Sequence, residues 1–83
     1  MNTFFSAEVQ EHFTSLREDV LETFAQGYPN SFTADEIAAE LSKSVLAIRP
    51  RVTELFKAEK IRKTGEKRMN TSGMSANVWQ WIS

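Results

Sequence analysis

The side chains with the clearest chemistry are cationic, and they crowd into one stretch of the chain. Lys43, Arg49, Arg51, Lys57, Lys60, Arg62, Lys63, Lys67 and Arg68 all fall between positions 43 and 68, with the hydroxyls of Ser44 and Thr53 among them. Guanidinium and ammonium groups spaced in this way hold anions, because phosphate or carboxylate oxygens accept their N–H donors. The net charge of −1 hides this concentration. Residues 1–40 carry one basic side chain (Arg17) against eight acidic ones, whereas residues 41–83 carry nine against three. Such asymmetry points to an anionic partner for the second half, with a merely uneven solvated surface as the alternative. The acidic first half would have to face away from that partner.

Other chemistries find little support. The 83 residues contain no cysteine, which excludes disulfides and cysteine-ligated zinc and fits a reducing cytoplasm. His12 is the one histidine, and a single histidine without a partner reads as structural. There is no glycine-rich phosphate loop, and most carboxylates are expected on outward helical faces. No catalytic residue, metal ligand or cofactor site is therefore assigned, and the chain does not read as an enzyme. Apolar residues make up 41% and charged residues 25%, values of a folded domain. No apolar run approaches the ~20 residues that span a bilayer, and Met1 to Phe5 lack the basic start of a secretory signal. No membrane contact is expected.

The elements that would position the cations follow from apolar spacing. Val9, Phe13, Leu16, Val20 and Phe24 keep to one helical face, with Phe5 upstream, which predicts a first helix over about 6–27. Ser6 would cap it, and Gly27 followed by Pro29 would stop it with a left-handed glycine. Residues 30–32 read as a short extended link. Thr33 and Glu36 form a capping box, with Phe32 and Ile37 at the staple positions, and so start a second helix over 34–41 with Ile37, Ala38 and Leu41 inward. After the break Ser42-Lys43-Ser44, a third helix over 45–58 is capped by Ser44 and turns Ile48, Val52, Leu55 and Phe56 inward. Pro50 either lies inside this helix, removing one backbone bond, or falls in its first turn if the helix starts nearer Ala47. Ile61–Thr64 and Ala76–Ile82 read as strands joined by a long polar tip from Gly65 to Ser75, a hairpin over 60–82. Trp79 and Trp81 share one strand face, where at least one would close the core. The whole is one α+β domain, 1–83: three helices and a C-terminal β-hairpin wing.

Two helices joined by three residues are the helix-turn-helix unit, whose second helix enters the DNA major groove. From Phe32 to Trp81 the chain resembles winged helix-turn-helix proteins of the MarR/ArsR-like superfamily, especially small stand-alone phage-encoded members. The residues that carry the resemblance are Phe32-Thr33-Ala34-Asp35-Glu36-Ile37-Ala38, Arg51-Val52-Thr53-Glu54-Leu55-Phe56, and Ile61-Arg62-Lys63-Thr64-Gly65-Glu66-Lys67-Arg68. Glu59-Lys60 departs from the pattern, since a glycine commonly ends this helix. The resemblance implies a small transcriptional regulator that binds double-stranded DNA in the cytoplasm or on the nucleoid (of the host, if phage-encoded). Arg49 and Thr53 would meet base edges, with Arg51 on the helix flank; Lys43, Ser44 and Lys57 would meet phosphates, and Arg62, Lys63, Lys67 and Arg68 would carry the wing onto the backbone or into a minor groove. Paired half-sites would call for a homodimer. The alternative is a protein-interaction module binding a host protein. It is motivated by Leu46 and Pro50 on the outward face of the third helix and by the acids Glu11, Glu18, Asp19 and Glu22 of the first.

Overall fold

A hydroxyl opens each of the described helices. The computed structural model describes residues 15–70 and 72–83. Ser15 has extended backbone and accepts the Glu18 N–H, so helix α1 runs Leu16–Gly27. Of the first helix expected over about 6–27, the described part begins at Leu16, where the Ser15 cap satisfies a first-turn donor. Ser6, Val9, His12 and Phe13 lie outside the described residues. Gly27 also departs from expectation. It is the last helical residue and not a left-handed one. Its small size matters for a different reason: a Cβ there would lie 2.5 Å from the Phe32 ring.

Helix α2, Ala34–Leu41, starts on the capping box. Thr33 Oγ1 accepts the Glu36 N–H at 3.1 Å, and the Glu36 carboxylate accepts the Thr33 N–H at 3.0 Å. Thr33 is buried, so neither bond has water as a substitute. Thr33→Ala is expected to destabilise the domain by about 1–2 kcal/mol. The thermal midpoint should then fall by roughly 4–8 °C for each kcal/mol, with Thr33→Ser restoring most of it. A melting curve that leaves Thr33→Ala unchanged would refute this role.

Ser42 ends α2 in the left-handed region, φ 55, and its N–H reaches the Ala38 and Ala39 carbonyls. Ser44 then accepts the Leu46 N–H and opens α3, Val45–Lys57. Pro50 therefore lies within the helix and has no N–H for the Leu46 carbonyl. Glu59 takes the place of the usual glycine with φ 62, while the Lys60 N–H returns to the Leu55 carbonyl. A left-handed non-glycine costs about 1 kcal/mol, which the tight exit from α3 has to offset.

Strand β1, Ile61–Met69, pairs antiparallel with β2, Ser75–Trp81. The first strand is longer than expected, and the tip is correspondingly shorter. Register slips between Lys63 and Lys67, where Gly65 takes φ 90, and pairing resumes at Lys67 with Asn77. A glycine in this setting permits a bulge inside a strand as well as a loop. Thr64 Oγ1 donates to the Val78 carbonyl and accepts the Glu66 N–H, holding the bulge. Phe32 adds a single antiparallel bridge on the other side of β2, through both N–H···O bonds with Trp79.

The core is Val20 and Phe24 of α1, Ile37 and Ala38 of α2, Ile48, Val52 and Leu55 of α3, and Ile61 of β1. Trp79 and Trp81 pack against it half-buried, Trp81 edge-on to Tyr28 at 5.5 Å. Phe56 is not part of it. The ring is 39% exposed and meets Trp79 edge-on at 5.1 Å, because it sits at the margin of the apolar stripe where β2 arrives. Three helices followed by the hairpin make an α+β winged helix-turn-helix. No helix among the described residues is long and apolar enough to cross a membrane.

Candidate nucleic-acid interface

The outward side of α3 is set by its inward side. With Ile48, Val52 and Leu55 buried, Leu46, Arg49, Pro50, Thr53 and Lys57 are left exposed. The hairpin crosses beside this face. An open groove of about 400 Å³ lies between them, with Arg49, Thr53 and Asp35 on the helical side and Lys67, Asn70, Ser72 and Asn77 on the wing. Arg49 stands 3.8 Å from Asp35, a solvent-exposed separation that holds the guanidinium only weakly.

The wing divides its cations between two faces. Lys63 pairs with Trp79 and Lys67 with Asn77; those partners are two apart on β2 and so share a face, the one turned to α3. Arg62 pairs with Gln80 and Arg68 with Ala76, on the opposite face. Arg62 donates to the Gln80 side-chain oxygen, and Gln80 Nε2 donates to the Pro29 carbonyl. The Lys63 ammonium lies 5.5 Å from the Phe56 ring centre and 5.8 Å from that of Trp79, a cation–π seat at the end of α3.

Three further cations are engaged by carboxylates. Arg51 grips Glu54 with two bonds of 2.8–2.9 Å, and Arg17 approaches the same carboxylate at 3.8 Å. The Arg51 hydrogen bond lowers the Glu54 pKa. Arg68 donates to both oxygens of Glu36 at 2.6 and 2.7 Å, which raises its own pKa. Glu36 thus completes the α2 capping box and ties down the wing at once.

Of the ten side chains expected at the interface, the groove brings together Arg49, Thr53 and Lys67. Lys43 and Ser44 lead into α3, and Lys57 ends it, all exposed. Arg51, Arg62 and Arg68 are directed elsewhere. Asp35, Asn77 and Met74 also line the groove, outside the ten. Asn77 is a polar residue between the apolar Ala76 and Val78, a signal the sequence carries; Asp35 has none beyond its place at the start of α2. A second, wider groove of about 1060 Å³ lies between α1 and α2, with Asp19, Glu22, Glu36 and Glu40 on its walls. Four acids of the first half therefore line a groove distinct from the one beside α3, while Asp35 lies in the latter. Among the described residues, no cluster of three or more metal-binding side chains occurs.

No protein-family model matches the chain, and no curated protein matches it either. Among solved structures it is similar to a protein named as a possible transcriptional regulator from Methanosarcina mazei Go1, with TM-score 0.66 and 14% sequence identity. The match covers 90% of this chain and 62% of that one, so this chain spans less than two thirds of the other protein. At this identity the likeness is one of fold.

Proposed function

We propose that the chain is a small transcriptional regulator that binds double-stranded DNA through the groove between α3 and the wing. The observation that carries the reading is the convergence of Arg49, Thr53 and Lys67 with Asn70, Ser72 and Asn77 along one groove beside the exposed face of α3. In this reading α3 enters the major groove, and the wing lies on the backbone or in a minor groove. Arg49 and Thr53 meet base edges, while Lys43, Ser44, Lys57 and Lys67 meet phosphates. Arg51, Arg62 and Arg68 do structural work and are not required at the DNA. The shared fold with a protein named as a possible regulator supports the same reading. So does the resemblance to the MarR/ArsR-like proteins.

Three cations, Lys43, Lys57 and Lys67, would neutralise about three phosphates, while Arg49 meets a base edge. The logarithm of the binding constant should then fall with the logarithm of salt concentration with a slope of about −2.7, or about 40-fold between ~50 and ~200 mM. Fluorescence anisotropy of a labelled duplex measures this directly. Absence of binding at the lowest salt, or binding indifferent to salt, would contradict the reading.

A further inference from the structure

The outward face of α3 carries a feature that phosphate binding does not use. Leu46, Pro50 and Thr53 fall at i, i+4 and i+7 and are all exposed, Leu46 to 75%. Leu46 and Pro50 present methyl and methylene groups, and Thr53 adds a methyl beside its hydroxyl. The strip is narrow and framed by polar groups, with Ser44 at its head, Arg49 beside it and Lys57 at its tail. An exposed leucine and proline on a helix otherwise set with cations call for a ligand that presents apolar groups between anions.

We infer that this strip reads thymine methyl groups, so that the protein prefers major-groove sites with thymine opposite Leu46, Pro50 and Thr53. The inference rests on the DNA-binding reading above. The C5-methyl of thymine is the only apolar group that a base edge offers in the major groove, and it stands between two rows of phosphates. The charge pattern of α3 matches that arrangement, apolar along the middle and cationic at the margins. A protein partner fits it less well. A helix laid in a protein groove needs apolar anchors recurring at i, i+3 or i+4, and i+7, whereas here the third position is threonine and the next, Lys57, is charged. Two apolar side chains also fall far short of the ~800 Å² per partner of a stable protein interface.

Uracil lacks only the methyl group, so it isolates the contact. Duplexes recovered by the full chain from a random pool are resynthesised with uracil in place of thymine, one position at a time. Affinity should fall about fourfold for each contacted methyl, the effect of losing one methylene-sized burial. Leu46→Ala should bind thymine and uracil duplexes with nearly equal affinity at one or more of these positions, with the salt slope unchanged. If the unaltered protein binds both duplex types equally while keeping its salt dependence, the methyl reading is overturned and DNA binding stands. If no duplex is recovered even at low salt, DNA binding itself fails, and the inference fails with it. If Leu46→Ala loses affinity equally for both duplex types, the strip contacts DNA but not through thymine methyls, and the inference is again overturned.

Discussion

Arg49→Glu combined with Lys67→Glu is expected to abolish DNA binding while leaving the fold intact. These are the two cations that face the α3–wing groove from its opposite walls. Losing the Arg49 base contact and the Lys67 phosphate contact reduces the salt slope by about one, and the introduced carboxylates add repulsion, so affinity should fall by at least ~100-fold at ~100 mM salt. Both side chains are exposed, and the one ion pair involved, Arg49 with Asp35 at 3.8 Å, contributes little to stability. The melting curve should therefore be nearly unchanged. Arg62→Glu is the matched control, a cation of the same wing placed on the far face of the hairpin. It should weaken binding only a few-fold. Equal losses from Arg62→Glu and Lys67→Glu would mean that general charge governs affinity, and not the groove.

The largest expected effect on stability is that of Phe24→Ala. Phe24 is fully buried and sits at the centre of the helical core, edge-on to Phe32 at 5.9 Å. Truncation removes the ring from a core built from very few large side chains, at a cost of about 3–5 kcal/mol. Whole-domain stabilities begin at about 5 kcal/mol, so the variant should be largely unfolded at 37 °C, or melt more than ~12 °C lower. Phe32 also closes the end of α1 against Gly27 and bridges to Trp79 on β2. Loss of Phe24 should therefore loosen the wing as well as the helices. Circular dichroism melting provides the check; a midpoint within a few degrees of the unaltered protein would show that the core closes by some other arrangement.

Local signals in the sequence were read well because their physics is local. The capping box of Thr33 and Glu36 spans four residues and needs nothing beyond them. The same holds for the Ser44 cap and for the buried spacing of Ile48, Val52 and Leu55. Legibility ended where the outcome depends on partners distant in sequence. Arg68 is free by any local criterion, yet it is held by Glu36, 32 positions away. Phe56 continues the apolar spacing of α3 but lies at the stripe's margin, where Trp79 covers only its edge. Gly65 reads as a loop because glycine serves loops and strand bulges alike, and only the pairing of Lys67 with Asn77 distinguishes them. The left-handed Ser42 and Glu59 carry no glycine signal at all. For the interface, the concentration of charge was visible from the residues, but its division between the two faces of the wing depends on strand register.

The central claim is that DNA occupies the groove between α3 and the wing. Amide shift mapping of the isotopically labelled protein during titration with a duplex tests it most directly. With DNA in that groove the largest shifts fall on Leu46 to Thr53 and on Lys67 to Asn77, with Asp19, Glu22 and Glu40 of the acidic groove unmoved. Shifts centred on the acidic groove, or no shifts at low salt, would contradict it.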